Sequence, residues 1–506
     1  MVFFRHFAVL ALASLLVACQ GDRRDEGAAV AATGPGESAS GPPAVAAREA
    51  SSVASAPQSA PAPAGPKPAT AATSSKPAGD PAIADDLATL AAAVKLVAQE
   101  YSLAVDETGR VKDEVEIGEA ELFCDQSRLR FDKLSPRLGA DPAALARGRE
   151  AIDALVAAVS ARKPPTEVAS LSRAATQSLL SLGPVDAAAT AGLRAATAES
   201  DRAIEAEQVV GDYRIGVLVE PVQAIWRANA AGANENVAPP DGSKSYLGVV
   251  LRERRSKRFL PGSIVTAEIL GEGDRVLAKS DLVPLWGDFP QYGANLPPLP
   301  DAKGRLRVRV EPPHHGRHGD MLGVVANPAE ATFDVAIEAG RPAVPPSPPA
   351  AVDADYAIGD DILEGFAAAR AETQAGGYRI GFITEAPEPF WEWKDGPRLK
   401  AVRPEDTHHL EIVLQDRATG LLVPQAGVSL RLVPKSGGKP VEVPLHGLLS
   451  AFQHYGETLR VPPGDYRVEV DVTPPSTAVL GEPNFLGRAT TRFDWQVEPA
   501  AQEKQG

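Results

Sequence analysis

Basic residues are in the minority in this chain, where 51 lysines and arginines stand against 66 aspartates and glutamates, for a net charge of −15. Nucleic acids and anionic membranes bind basic surfaces, so we expect no nucleic-acid partner, whereas a cationic ligand is tolerated. The sequence also lacks a Gly-x-Ser-x-Gly elbow, a phosphate-binding loop and a dinucleotide fingerprint. These absences favour a function other than that of an enzyme.

Sulfur is scarce as well, with two cysteines and two methionines in 506 residues. Cys19 ends an N-terminal segment whose apolar run, 7–18, is typical of an export signal and too short to span a membrane. The ending Leu-Val-Ala-Cys resembles a bacterial lipobox, which implies that Cys19 is acylated and that the protein is anchored in the periplasm. Gln20 after the cysteine favours the outer membrane. Cys124 is then the only thiol, so no intrachain disulfide is possible, and we expect it in a helical core.

The chain is too long for one ordinary domain, and its composition divides it into six segments. Ala, Pro, Ser and Gly dominate the stretch before residue 81, which is predicted to be a disordered tether because it has too few large apolar residues to offset the entropy of ordering. The predicted segments are a signal peptide (1–18), the acylated cysteine with its linker (19–81), a helical domain (82–208), a first β-sandwich (209–340), a linker (341–374) and a second β-sandwich (375–498).

Helical periodicity begins early in the third segment, where apolar residues recur at spacings of three and four over 84–101. Asp141-Pro142 provides an N-cap followed by proline at the first helical position, and Pro164-Pro165 opens a further helix. We therefore predict an all-α antiparallel helical bundle over 82–208.

Two later stretches are versions of each other, at an offset of 160 to 165 residues. Short β-branched runs separated by turns rich in Gly and Pro indicate that each is a β-sandwich. The matching motifs are Tyr213-Arg214-Ile215-Gly216 with Tyr378-Arg379-Ile380-Gly381, Trp226 with Trp391, Gln291-Tyr292-Gly293 with His454-Tyr455-Gly456, Pro312-Pro313 with Pro474-Pro475, and Phe333-Asp334 with Phe493-Asp494.

Histidines are divided between the two repeats, which hold seven of the eight in the sequence. In the second repeat, His409 and Glu411 are two residues apart on a predicted strand, so they project from one face and can offer an imidazole and a carboxylate to one cation. His454 lies in a predicted turn. Alone, each of these is more often a polar surface residue. The first repeat differs at all three corresponding positions, which hold Tyr246, Gly248 and Gln291.

The first repeat also has a histidine that the second lacks. Gly316-Arg317-His318 aligns best with Gly487-Arg488-Ala489, at an offset widened to 171 by a longer loop. Met321, three residues after the histidine, has a thioether that suits Cu(I) or another soft ion. Either this loop crosses to the second repeat and supplies His318, or it is a remnant. The remaining histidines are expected to be solvated or weak candidates, namely His314, His315, His408 and His446.

These motifs resemble those of the periplasmic iron-transport accessory proteins. The family signature joins a His-Leu-Glu at a strand start, a His-Tyr-Gly-Ala-Asn turn, two prolines and a Gly-Arg-His-x-Asp loop. The resemblance implies immunoglobulin-like sandwiches that pair as an internal version of the family's homodimer. It also implies a site for Fe²⁺ and/or Cu²⁺, although the family's methionine is replaced by Leu285 in the first repeat and by Gly447 or Leu448 in the second. The ligands implied are His409, Glu411, His454 and His318.

The helical region resembles the periplasmic N-terminal module of Ftr-type iron permeases, through Gly109-Arg110-Val111 and the run Glu-Ile-Gly-Glu-Ala-Glu-Leu-Phe at 116–123. The permease's membrane helices and iron motif are absent, so the resemblance implies cooperation with an iron permease of the inner membrane. Glu116 and Glu119 lie one helical turn apart, where they either hold a hard cation weakly or form part of a solvated acidic face.

Together these patterns predict a lipid-anchored periplasmic component of a bacterial iron-uptake system, which binds Fe²⁺ and/or Cu²⁺ and works with a permease. The alternative is a structural or protein-interaction envelope lipoprotein with a decayed metal site. The missing methionine and the three replaced ligands of the first repeat are what this alternative predicts.

Overall fold

The computed structural model describes residues 81–183, 188–228, 234–318, 321–347, 358–393, 396–481 and 486–498. All of them belong to one compact unit that begins at Ser75. The predicted signal peptide, the lipidation site Cys19 and nearly all of the tether lie outside the described residues. Within the described ranges, no helix combines the length and apolar character needed to cross a bilayer.

Four helices form a bundle at the start of the described chain. Each helix packs on the next one in sequence, and the fourth returns to the first. Asp113 and Asp141 cap two of them by accepting hydrogen bonds from backbone amides of the following turn, and Pro142 and Pro165 occupy first helical positions, where no N–H is needed. The helices are α1 (Pro81–Ala104), α2 (Glu114–Leu134), α3 (Pro142–Ser160) and α4 (Pro165–Leu180).

The bundle encloses an apolar core that includes Cys124. Burial raises the pKa of this thiol to about 12, so the thiol stays neutral, as expected for a core cysteine. The same core extends into the second repeat through Ile383 and Phe452. Arg130 of α2 reinforces this docking by donating hydrogen bonds to the backbone carbonyls of Phe366, Ala367 and Ala369.

The first repeat starts with a helix, which lies within the segment predicted as the helical domain (82–208), and continues as two β layers. Its elements are α5 (Ala188–Ala203), β1 (Ala206–Val210), β2 (Tyr213–Glu220), β3 (Ile225–Ala228), β4 (Asn234–Val237), β5 (Tyr246–Glu253), β6 (Ile264–Leu270), β7 (Val276–Trp286), β8 (Gln291–Asn295), β9 (Ala302–Glu311), β10 (Gly316–Arg317), β11 (Ala329–Glu338) and β12 (Arg341–Ala343).

The second repeat has the same plan, and its helix lies within the segment predicted as a linker. Its elements are α6 (Asp360–Ala368), β13 (Ala371–Ala375), β14 (Tyr378–Glu385), β15 (Phe390–Trp393), β16 (Pro397–Lys400), β17 (His408–Asp416), β18 (Gly427–Pro434), β19 (Val441–Pro444), β20 (His446–Leu449), β21 (Gln453–Leu459), β22 (Gly464–Thr473), β23 (Ala478–Leu480) and β24 (Ala489–Val497).

Strand order is equivalent in the two sandwiches. In the second repeat one layer runs β13-β14-β17-β21-β20 and the other β19-β18-β22-β24. In the first repeat, β7 joins the layers β1-β2-β5-β8 and β6-β9-β11-β12, because it pairs with β6 as far as Leu282 and with β8 from Val283. The predicted fold class, a helical bundle followed by two β-sandwich domains, is confirmed.

Each repeat also lends one short strand to the other. The first repeat's β10 pairs with β15 and β20, and the second repeat's β23 pairs with β3 and β7. Arg317 of β10 lies opposite Trp391, and Val479 of β23 lies opposite Trp226, the matching tryptophan of the other repeat. The exchange is therefore reciprocal, and it joins the two sandwiches as an internal pair.

This pairing corrects the alignment of the histidine loop. Val479 is the structural counterpart of Arg317, so Leu480 corresponds to His318, at an offset of 162. The predicted match of His318 with Ala489 is wrong. Ala489 begins β24, which pairs with β22 within the second repeat. A shared Gly-Arg pair produced the false match. The true counterparts pair with equivalent strands in the two repeats but have different residue types.

Candidate metal centre

His318 reaches the second repeat on the exchanged strand β10. The adjacent Arg317 is fully buried, with its guanidinium carbon 3.8 Å from the centroid of the Trp393 ring and its Nη2 donating to the carbonyl of Val325 at 3.1 Å. Burial lowers the pKa of Arg317 to about 10, which leaves it charged at neutral pH. The amide of His318 donates to the carbonyl of Leu449 at 3.2 Å. The contacts with Trp393 and Leu449 hold the loop of the first repeat against the second, and the bond to Val325 fixes the loop within its own repeat.

The other three residues lie on two paired strands of the second repeat. His409 and Glu411 share one face of β17. His454 lies on β21, the antiparallel neighbour of β17, and its predicted position in a turn is wrong. His409, Glu411 and His454 are at most 2% exposed, and His318 is 7% exposed. Buried polar side chains in such number require partners, because an uncompensated one is costly. The strands therefore bring together all four of the histidine and glutamate residues predicted as ligands.

The Nε2 atoms of His409 and His454 converge on Glu411, and His318 joins them. Nε2 of His454 lies 3.0 Å from Oε1 of Glu411, and Nε2 of His409 lies 3.2 Å from the same oxygen. Nε2 of His318 lies 3.2 Å from Nε2 of His454. Taking one ligand atom from each residue, all four atoms lie within 4.8 Å of one another.

The Nδ1 atoms are held by the surrounding protein. Nδ1 of His318 lies 2.9 Å from Oε1 of Glu388, and Nδ1 of His409 lies 2.7 Å from the hydroxyl of Thr458, which itself donates to the carbonyl of Glu388. Nδ1 of His454 lies 3.3 Å from the carbonyl of Phe452. Metal-binding histidines characteristically use the second nitrogen in this way, which fixes the ring and leaves Nε2 for the ion.

The spacing and the unmet bonding capacity both fit a metal ion. Four tetrahedral ligands at roughly 2.0 to 2.2 Å from an ion lie about 3.4 Å apart, close to the separations of 3.0 to 3.2 Å found here. Among the described residues, Nε2 of His409 and Oε2 of Glu411 are buried without a hydrogen bond. These two atoms are the places where an ion would supply the missing interaction.

Glu411 is ready to bind a cation without first losing a proton. Burial alone would raise its pKa, but the facing His454 and His409 outweigh that effect and bring the pKa well below its ordinary range. The carboxylate is therefore charged throughout the neutral range.

The helical region has a counterpart among known protein families. Residues 77–185 match the iron permease-associated 4-helix bundle domain. The match spans α1 to α4 and ends before α5. It confirms the predicted resemblance of the helices to a module associated with iron permeases.

Solved structures similar to parts of the chain include those of the proteins P19 and FetP. Copper-reconstituted P19 from Campylobacter jejuni is 12% identical, with a TM-score of 0.20, and the match covers 25% of this chain and 93% of P19. FetP from uropathogenic Escherichia coli is 17% identical, with a TM-score of 0.20, and the match covers 25% of this chain and 94% of FetP. No curated protein sequence matches the chain.

Met321 is in contact with the core of the first repeat. Its amide donates to the carbonyl of His318 at 3.0 Å. A role for Met321 as a ligand stays a prediction. Of the other histidines, His315 is buried rather than solvated, because its Nε2 lies 2.8 Å from the carbonyl of Pro261. His314 is exposed.

The equivalent position in the first repeat is closed by neutral groups. The hydroxyl of Tyr246 donates to the side-chain oxygen of Gln291 at 3.0 Å, in the place of His409 and His454. Gly248, with no side chain, replaces Glu411, and Leu480 replaces His318. The described residues of the first repeat therefore retain the architecture of the site without its ligands.

Glu388 is a member of the site that the sequence did not reveal. It lies in the connection between β14 and β15, where its Oε1 accepts from Nδ1 of His318 and lies 3.8 Å from Nε2 of His409. Its counterpart at the repeat offset of 165 is Gln223. An amide also replaces a ligand elsewhere in the first repeat, where Gln291 stands in the place of His454. A comparison of the two repeats, position by position, is therefore the signal that identifies Glu388.

Proposed function

We propose that the protein is a lipid-anchored periplasmic metal-binding component of a bacterial iron-uptake system. It binds Fe²⁺ and/or Cu²⁺ at His318, His409, Glu411 and His454 and works with an iron permease of the inner membrane. The observation that carries this proposal is the convergence of three histidines and one buried carboxylate, with one ligand atom from each within 4.8 Å of the others and each Nδ1 held by the protein.

The donor set supports this choice of metal. Imidazole nitrogens suit iron and copper, and a carboxylate contributes the charge that a divalent ion needs. We propose binding and transfer of the ion as the role, and no catalysis by the protein.

The resemblance of residues 77–185 to an iron permease-associated domain supports the proposed partner. The bundle packs on the same repeat that carries most of the ligands. A permease that contacts the bundle would thereby be brought close to the bound ion.

Calorimetry of the purified protein with Cu²⁺, and with Fe²⁺ under anaerobic conditions, tests the proposal. We expect one tight equivalent per chain and a loss of at least about 100-fold in affinity in the His409→Ala/His454→Ala variant, about tenfold for each ligand removed. The matched control is His314→Ala/His408→Ala, which removes two histidines outside the four-residue site and should leave affinity unchanged. Absence of binding by the unchanged protein would favour the alternative, an interaction lipoprotein with a decayed site.

A further inference from the structure

A second part of the first repeat, besides β10, contacts the repeat that carries most of the ligands. It is the loop 254–263 between β5 and β6. Arg258 in this loop donates from Nη1 to the carbonyl of Ser450 at 3.2 Å and from Nη2 to the carbonyl of Ala451. Both carbonyls belong to the turn between β20 and β21, the strand that carries His454. The side chain of Arg258 is only 12% exposed, so these bonds are made largely out of water, where they are stronger.

Four consecutive backbone carbonyls at this turn are all engaged. The first, that of Leu449, accepts from the amide of His318, and the next two accept from Arg258. The fourth, that of Phe452, lies 3.3 Å from Nδ1 of His454. The turn is therefore held by the first repeat on one side and orients a proposed metal ligand on the other.

Hydrogen bonds within the turn connect its two sides. The amide and the hydroxyl of Ser450 both donate to the carbonyl of Phe452 at 3.1 Å. The same hydroxyl lies 3.5 Å from Nδ1 of His454. Ser450, whose carbonyl Arg258 holds, thus sets the position of both groups that face Nδ1.

Arg258 is itself held from the opposite side by Asp361. Nε of Arg258 lies 3.4 Å from Oδ2 of Asp361, which belongs to the first turn of α6 and whose side chain is 4% exposed. Burial raises the pKa of Asp361, and the charge of Arg258 acts against that rise. A buried ion pair is maintained only when both partners are present, so the aspartate directs the Nη atoms of Arg258 towards the turn.

The counterpart of Arg258 in the second repeat is a leucine. The amide of Glu253 donates to the carbonyl of Arg258, and the amide of Asp416 donates in the same way to the carbonyl of Leu421, at an offset of 163. Leu421 is buried in an apolar core that it shares with Phe289 of the first repeat. The repeat without ligands therefore packs against a leucine, whereas the repeat with ligands receives hydrogen bonds from an arginine.

We propose that Arg258 is a positioning residue of the metal site, which acts through the turn 450–452 to orient His454, and that Asp361 fixes Arg258 in that position. This inference rests on the proposed function. The first repeat then contributes twice to the site, with His318 as a ligand and with Arg258 as the support of a ligand on the other repeat. A histidine ring that is held by Nδ1 presents Nε2 to the ion in one orientation, and support of this kind raises affinity by about 10- to 100-fold.

The double variant Arg258→Met/Asp361→Asn removes both charges at once, so neither is left buried without its partner. Calorimetry of the full protein should show Cu²⁺ affinity lowered by about 10- to 100-fold. The Cu²⁺ electron paramagnetic resonance spectrum should keep its number of coordinating nitrogens and show broader lines, because His454 still binds but in a range of orientations. Arg258→Lys, which keeps the charge without the planar fork of donors, should retain part of the affinity that the double variant loses.

Two controls separate positioning from stability. Arg255→Met changes an exposed arginine of the same loop and should leave Cu²⁺ affinity unchanged. Arg130→Met removes an arginine that also donates to several carbonyls across a boundary, at the end of α6, and it should lower the Tm without changing Cu²⁺ affinity. Equal losses of affinity in Arg130→Met and in the double variant would overturn the inference, as would unchanged affinity in the double variant.

A measurement on the metal-free protein distinguishes failure of this inference from failure of the proposed function. In protein labelled with nitrogen-15 histidine, the proton on Nδ1 of His454 is identified by its absence in His454→Gln. It should be protected from exchange with water in the unchanged protein and exchange freely in Arg258→Met/Asp361→Asn. Equal protection in both would overturn the role of Arg258, whatever the result with Cu²⁺. Protection lost in the double variant, with no Cu²⁺ binding by the unchanged protein, would overturn the proposed function and leave Arg258 as the support of His454.

Discussion

The Nε2 atoms of His318 and His454 lie 3.2 Å apart, although 136 positions of sequence and the boundary between the two repeats separate these residues. Two imidazole nitrogens lie this close when both bind the same ion, or when one donates a hydrogen bond to the other. Because His454 also faces Glu411 at 3.0 Å, the pair lies at the centre of the proposed site. The site therefore depends on both repeats.

His318→Ala should lower Cu²⁺ affinity by at least about tenfold, because it removes one of four ligands and admits water in its place. The Cu²⁺ electron paramagnetic resonance spectrum should also show one coordinating nitrogen fewer. His314→Ala, four residues earlier in the same loop and exposed, is the control. An unchanged spectrum for His318→Ala would mean that the first repeat contributes nothing to the site.

Glu388→Ala should weaken metal binding by about 10- to 100-fold, the usual effect of removing a residue that orients a histidine ligand. Its carboxylate accepts from Nδ1 of His318 at 2.9 Å, which directs Nε2 of that ring towards the ion. Glu388→Gln, which retains an acceptor, should recover part of the loss. Calorimetry with Cu²⁺ measures both variants, and equal affinities for Ala and Gln would show that charge rather than orientation is what Glu388 supplies.

The reciprocal strand exchange offers a matched pair of variants. Arg317→Ala removes the contact with Trp393 and should lower the free energy of unfolding by about 2 to 4 kcal/mol, while also weakening metal binding because His318 follows it directly. Val479→Ala truncates the counterpart residue of β23 and should lower stability by about 1 to 2 kcal/mol without any change in metal affinity. Urea unfolding and Cu²⁺ titration distinguish the two effects. A loss of metal affinity in Val479→Ala would show that the metal site also depends on β23, which contributes none of the four ligands.

His315 should make the protein sensitive to acid. Burial lowers its pKa to about 4 from an ordinary value of 6.5, so the unfolded chain takes up the proton first as the pH falls. The stability linked to this residue is therefore complete above pH 6.5 and is lost as the pH falls towards 4, by about 3 kcal/mol in total. His315→Gln should show that much less loss between pH 7 and pH 4 in urea unfolding. An equal loss in both proteins would contradict this prediction.

Local sequence patterns were sufficient to predict much of the fold and two of the four residues of the site, His409 and Glu411. Asp141-Pro142 and Pro165 begin helices as predicted, because capping and proline geometry act within one turn. His409 and Glu411 share a face because they are two apart on a strand. These relationships depend on neighbours in sequence, which is why they can be deduced from it.

Long-range pairing accounts for what the sequence did not reveal. The match of His318 with Ala489 failed because strand partners, rather than a Gly-Arg pair, define the counterpart. Glu388 joins the site only because the connection between β14 and β15 meets the loop of the first repeat that carries His318. Such contacts leave no local periodicity in the sequence. The difference between the two repeats, with Gln223 in the first and Glu388 in the second, is the one sign of them at this position.

The exchange of β10 and β23 has an evolutionary consequence. In a dimer of identical subunits, every substitution alters both halves at once, so a ligand cannot be lost on one side and kept on the other. Fusion of the two copies into one chain removes that constraint. Here the first repeat contributes His318 alone, while the second carries His409, Glu411 and His454 and packs against the helical bundle.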